Sequence, residues 1–237
     1  MMGSDMHSLF GARHTRRRLL HFSLSIAALL AVACAGAPAR AARPAPGNGA
    51  ATRREVLVVG DSISAEYGLA RGSGWVALLG QRLAGEKSAW SVVNASITGD
   101  TTAGGLARLP ALLRQHPGVV VIELGGNDAL RGLPLAQVRS NLDAMAAQAG
   151  AAGAKVLIAG IMVPPNYGRQ YSADFAQAFV DVAAAHKAAL LPFILKGVAD
   201  RPDADDWFQA DHIHPLAKAH PIILDNVWPV LRPLLKP

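Results

Sequence analysis

Only one cysteine, Cys34, occurs among the 237 residues, so no intrachain disulfide can form and stability must come from a packed core. The apolar run 19–33 falls short of the roughly 20 residues that a spanning helix needs, and it holds His21, Ser23 and Ser25. A membrane-spanning helix in the mature protein is therefore not expected. No repeat of fixed period is visible, which excludes solenoids and propellers. Charge of one sign is scarce too. The formal net charge is +6, but residues 1–41 hold five arginines and one aspartate, leaving eighteen basic against sixteen acidic side chains. A surface so evenly charged gives no reason to expect a nucleic-acid partner.

The N-terminus reads as a removable address. Arg16-Arg17-Arg18 precedes the apolar run, and small residues lead to Ala39-Arg40-Ala41, the build of a secretory signal over residues 1–41. Thr15 to Leu20 also resembles a twin-arginine signal, and Cys34 after Ala31-Val32-Ala33 resembles a lipoprotein box with Ala where Leu is usual. A periplasmic or secreted protein is expected, with lipid anchoring through Cys34 as the minority alternative. Residues 42–52, rich in Pro, Gly and Ala, form a flexible lead-in. One domain over 53–237 remains, large enough to bury most of its unfolded surface.

Within that domain short apolar runs at 56–59, 91–94, 119–124, 156–161 and 189–191 predict buried strands. Amphipathic stretches at 74–84, 104–116, 135–152, 173–187 and 221–235 predict helices between and after them. The alternation predicts an α/β fold with a parallel sheet covered on both faces. Ser172 can cap the fourth helix, Gly153 can end the third in a left-handed turn, and Pro164 to Gly168 predicts a loop.

The ligand crevice of such a sheet lies beyond the carboxyl ends of its strands, and three short strings fall there or near the C-terminus. Ser62, in Gly60-Asp61-Ser62, follows the first strand; such a turn suits an activated hydroxyl, although a lone Gly-Asp-Ser more often caps a helix. Ser64 replaces the last glycine of a Gly-x-Ser-x-Gly elbow. Asn127, in Gly125-Gly126-Asn127-Asp128, follows the third strand, where its amide can face a developing oxyanion or simply serve a tight turn. Asp211 and His214 are three residues apart, close enough for the acid to fix the imidazole tautomer. A metal clamp from His212, His214 and Asp211 or His220 is the lesser alternative, because no further cluster has zinc-like spacing. A nucleophile, an amide donor and an acid–base pair in this order point to a serine hydrolase.

Taken with the longer strings Val92 to Thr101, Gly105 to Leu113, Glu123 to Asp128 and Pro165 to Arg169, the chain from about Val56 to Leu235 resembles the SGNH (GDSL) hydrolase family. The likeness is greatest to its subgroup of bacterial periplasmic thioesterases that are also described as protease I and lysophospholipase. The resemblance implies a three-layer α/β/α flavodoxin-like fold with a five-stranded parallel sheet. It implies Ser62 as nucleophile, His214 as base, Asp211 as orienting acid, and Ser62 N–H, Gly99 N–H and the Asn127 amide as an oxyanion hole. It also implies a mobile loop over the acyl site around 128–134, with Asp61, Leu130, Leu133, Pro164 and Tyr167 as substrate contacts. His212 stands where the subgroup has Gly, and Leu216 where it has Asn.

The expected activity is hydrolysis of acyl esters and thioesters, such as aryl esters, acyl-CoA or lysophospholipids, through an acyl-enzyme. No cofactor, metal or nucleic acid is expected, and the protein is expected to be a monomer. Removal of acetyl esters from cell-wall or other carbohydrate is the alternative enzyme, and a carbohydrate- or lipid-binding module with a vestigial site the non-enzymatic one.

Overall fold

The computed structural model describes residues 53–236. The expected leader, lead-in and Cys34 lie outside the described residues. Among the described residues no helix is long and apolar enough to cross a membrane.

Five strands form one parallel sheet, β1 (Arg53–Gly60), β2 (Ser91–Asn94), β3 (Pro117–Glu123), β4 (Lys155–Ala159) and β5 (Ala189–Leu191), in the order β2-β1-β3-β4-β5. β3 is buried along its whole length, as a central strand between two helical layers must be. Side chains alternate between two cores: Val56, Val58, Val119, Val121 and Leu157 enter one, and Leu57, Val59, Val120, Ile122 and Ile158 the other.

Helices α1 (Trp75–Gly85) and α6 (His220–Leu231) cover the first core, through Trp75, Leu79, Ile223 and Val227. α2 (Thr102–Leu113), α4 (Leu135–Ala151) and α5 (Arg169–Ala185) cover the second, through Leu109, Leu142, Met145, Phe175 and Phe179. A short helix α3 (Gly126–Leu130) follows β3 directly. The three-layer parallel architecture expected from the resemblance is thus the one observed. Because the chain steps from β1 to β2 and then back past β1 to β3, the topological switch lies between β1 and β3, the two strands that lead to Ser62 and Asn127.

Several boundaries differ from the sequence reading for local reasons. α4 ends as expected in a Schellman turn, with Ala154 N–H donating to Ala149 O and Gly153 N–H to Gly150 O. α5 begins at Arg169, not at 173, and Ser172 does not cap it; its hydroxyl donates back to the Gly168 carbonyl at 2.9 Å. The segment expected to be a plain loop at 164–168 contains a single 3₁₀ turn, Pro165–Tyr167, which feeds straight into α5. β4 stops at Ala159 because the chain at Gly160 bonds onward to Leu191 and Ile194. The last helix ends at Leu231, and Pro233, which has no N–H to continue it, lies in the 3₁₀ turn Arg232–Leu235.

Candidate active site

β1 ends at Gly60, and the chain turns sharply with Ala65 N–H donating to Asp61 O at 2.9 Å. The turn leaves Ser62 largely buried, 8% exposed. His214 reaches it there: His214 Nε2 lies 2.8 Å from Ser62 Oγ. Its other nitrogen, Nδ1, lies 2.6 Å from Asp211 Oδ2. Asp211 Oδ1 meanwhile accepts the main-chain N–H groups of Ile213 and His214, each at 3.0 Å. The His214 hydrogen bond, with these two main-chain donors, holds the Asp211 carboxyl down at about 2. The acid is therefore ionised throughout the neutral range and can only accept, which puts a proton on Nδ1 and leaves Nε2 free to take one from Ser62.

The loop that presents this pair is closed at its base. Phe208 and Pro215 form an antiparallel bridge, Gln209 N–H donates to His214 O, and Leu216 N–H to Trp207 O. Trp207 lies under the Arg201 guanidinium at 4.5 Å and the Lys218 ammonium at 4.9 Å. Two contacts tie the loop to the nucleophile turn: Gln209 Nε2 donates to Tyr67 O at 2.9 Å, and the Tyr67 ring packs on the His214 ring with centroids 4.3 Å apart. Gln209 and Tyr67 were not singled out by sequence reading, since a lone polar or aromatic residue in a loop carries no spacing signal.

The opposite wall is built by the ends of β2 and β3. Gly99 has φ of +76°, a conformation that favours glycine, and its carbonyl accepts Arg131 Nη2 at 2.7 Å. Among the described residues no hydrogen bond engages the main-chain N–H of Ser62 or of Gly99. Asn127 sits in the first turn of α3, not in a free turn, and its Nδ2 donates to Asp61 Oδ2 at 3.0 Å. A carboxylate can only accept, so this bond fixes which end of the Asn127 amide carries the donor.

Asp61, expected as a substrate contact, is buried, with Oδ1 accepting Ile63 N–H and Oδ2 accepting Asn127. Burial pushes its carboxyl up to about 6. The segment 128–134 starts at a pinned residue, because buried Asp128 accepts both the N–H and the hydroxyl of Thr102 at 2.9 and 2.6 Å. Leu130 beyond it is exposed, Leu133 and Tyr167 are half-buried, and Pro164 is exposed. Tyr167 stacks on Tyr171 and, through it, on Phe175 in the core. Five large apolar side chains stand on the loops beyond the strand ends and on the His214 loop, Tyr67, Ile97, Leu130, Met162 and Ile213, each 44 to 52% exposed.

The metal alternative gathers no support from the geometry. His212 Nδ1 faces Asp205, and His220 is buried with Nδ1 accepting Trp75 N–H at 3.0 Å. Among the described residues no group of three or more His, Cys, Asp or Glu is arranged to hold a metal ion.

The chain is 56% identical over 186 residues to the esterase TesA of Pseudomonas aeruginosa, covering 78% of this chain and 91% of that one. It is 43% identical over 187 residues to the thioesterase 1/protease 1/lysophospholipase L1 of Escherichia coli, covering 78% and 87%. A crystal structure of TesA superposes with a TM-score of 0.72 at 57% identity, covering 76% of this chain and 99% of the other. The model of the GDSL-like lipase/acylhydrolase family matches residues 58–222, and the chain belongs to that family.

Proposed function

We propose that the protein hydrolyses carboxylic esters and thioesters by way of an acyl-enzyme on Ser62. The observation that carries this is the continuous relay from Asp211 to His214 to Ser62, with both links below 3 Å. His214 takes the Ser62 proton as the hydroxyl attacks the acyl carbonyl, then hands it to the departing alkoxide or thiolate. Water, deprotonated by the same imidazole, attacks the acyl-enzyme, and collapse of the second tetrahedral state returns the serine proton. Negative charge develops on the carbonyl oxygen in both tetrahedral states. The N–H groups of Ser62 and Gly99 and the Asn127 amide are the donors assigned to it, and the first two have no competing partner among the described residues.

The apolar side chains beyond the strand ends and on the His214 loop suit an acyl chain, with Leu130, Leu133, Pro164 and Tyr167 on the α3 and α5 side. The relatives named as esterase and as thioesterase/lysophospholipase support acyl esters and thioesters as the substrate class.

A panel of aryl esters, acyl-CoA thioesters, lysophospholipids and acetylated sugars, assayed with wild type and Ser62→Ala, tests the reading. Turnover of the first three classes is expected, with a loss of at least about 10⁴-fold in the variant. Hydrolysis confined to acetylated sugars would favour the deacetylase, and undiminished activity in Ser62→Ala would remove the serine mechanism.

A further inference from the structure

Glu123 is the last residue of the central strand, and it is 1% exposed below an unbroken apolar run from Val119 to Ile122. A carboxyl in such a place costs free energy unless it is hydrogen-bonded. None of the described ion pairs involves it. The nearby guanidinium of Arg108 is bound instead to Asp100 and to the main-chain oxygens of Ala95 and Gly60.

Its contacts all lie in the nucleophile turn. Ser64 Oγ donates to Glu123 Oε2 at 2.7 Å, Trp75 Nε1 donates to that same Ser64 oxygen at 3.0 Å, and Asp61 N–H points to Glu123 Oε2 at 3.4 Å. One oxygen thus holds the residue before Ser62 and the residue two after it. The strand pair is shaped to admit it. Gly60 is the ladder partner of Glu123, and a Cβ at Gly60 would lie 2.7 Å from Oε2. On the far side of Asp61 the carboxylate receives Asn127, four residues beyond Glu123. The end of β3 and the start of α3 therefore grip the nucleophile turn twice, through Glu123 and through Asn127, with Asp61 between them.

We infer that Glu123 is a positioning residue for the hydrolytic site, a buried acceptor that fixes Asp61 and Ser64 so that Ser62 and the Asn127 amide keep their relative places. The inference rests on the hydrolase reading above. Burial and the adjacent Asp61 push the Glu123 carboxyl well above the carboxylate range. Asp61, which has Ile63 N–H and Asn127 as donors, is the member of the pair better placed to carry charge.

Glutamine preserves the shape and an acceptor oxygen, whereas methionine preserves only the shape. Glu123→Gln, Glu123→Met and Ser64→Ala in the full chain, with an aryl ester as probe, separate the possibilities. Glu123→Gln is expected to hold kcat within about 3-fold of wild type. Glu123→Met is expected to lose about 10²-fold in kcat with KM nearly unchanged, the signature of a displaced reacting group in a folded protein. Circular dichroism and thermal melting check the fold. Should Glu123→Met not fold, Ser64→Ala decides, with an expected loss of about 10-fold in kcat at constant KM. Wild-type kcat in Glu123→Met or in Ser64→Ala, or equal damage from Gln and Met, overturns the inference. A folded wild type inactive on every ester would instead take down the hydrolase reading, and this inference with it.

Discussion

The two halves of the site are built by opposite means. Ser62 and Asn127 stand at the ends of the two central strands, over buried Asp61, Glu123 and Asp128, which bind Asn127, Ser64 and Thr102 respectively. Asp211 and His214 stand on a loop with no regular structure between Trp207 and Leu216, and the Asp211 side chain is 37% exposed. The donor wall needs fixed geometry, because a hydrogen bond to a transient oxyanion is useful only if its direction is set beforehand. The base must instead gain and lose a proton in each half-reaction, and partial contact with water tolerates that charge. The Tyr67 ring, the Gln209 bridge and the Trp207 clamp confine the loop without burying it.

If that contrast is real, damage to the donor wall should exceed damage to the exposed acid. Asn127→Ala is expected to lower kcat by roughly 10² to 10³ with little change in KM. Asp211→Asn is expected to lose roughly 10²-fold, less than for a buried triad acid, because water can partly solvate the imidazolium. Steady-state kinetics on one aryl ester compares the two directly. A larger loss in Asp211→Asn than in Asn127→Ala would show that exposure does not soften the acid's role.

Buried groups behind the donor wall and at the start of α6 should also answer to pH in opposite senses. Glu123 and Asp61 have folded values raised above their ordinary 4.5 and 3.8, so their contribution to stability is full below those values. It is lost as pH rises, for Asp61 through about 6. His220, whose value burial lowers from 6.5, contributes in full above 6.5, and that contribution is lost as pH falls through its depressed folded value. Melting temperature should therefore fall more steeply with rising pH above 4.5 in wild type than in Glu123→Gln, with no difference below it. Equal slopes above 4.5 would mean that the fold does not raise the Glu123 carboxyl.

The smallest expected effect is at His212, which holds φ of +56° in the exposed loop. Histidine tolerates this left-handed conformation better than most residues, but the position favours glycine. His212→Gly should stabilise by up to about 1 kcal/mol and leave kcat unaltered. Calorimetry showing destabilisation would assign a structural task to the weak 3.3 Å contact between His212 and Asp205.

Much of this organisation is legible along the chain. Runs such as Val119 to Leu124 announce a buried strand because a strand covered on both faces has no polar side, and alternation with amphipathic stretches announces a parallel sheet. The candidate site strings are legible because each follows an element end or a turn that sequence marks. Helix starts were less legible: Ser172 is a good cap by type, but the 3₁₀ turn and Gly168 started α5 earlier and left its hydroxyl bonded backwards. The Asn127 amide as partner of Asp61 had no signal in the sequence; only the fold turned the carboxylate toward it. Glu123 gave no signal beyond a polar end to an apolar run.

By itself the sequence determined the order of strands and helices, the two apolar faces of the sheet and the residue types able to act as nucleophile, donor, base and acid. These follow from periodicity and local chemistry, which act over a few residues. The tertiary structure decided which groups meet: His214 and Ser62 are 152 positions apart, Asn127 and Asp61 66, and Ser64 and Glu123 59. Such pairings depend on strand order, register and the path of loops over the sheet, and no spacing along the chain encodes them.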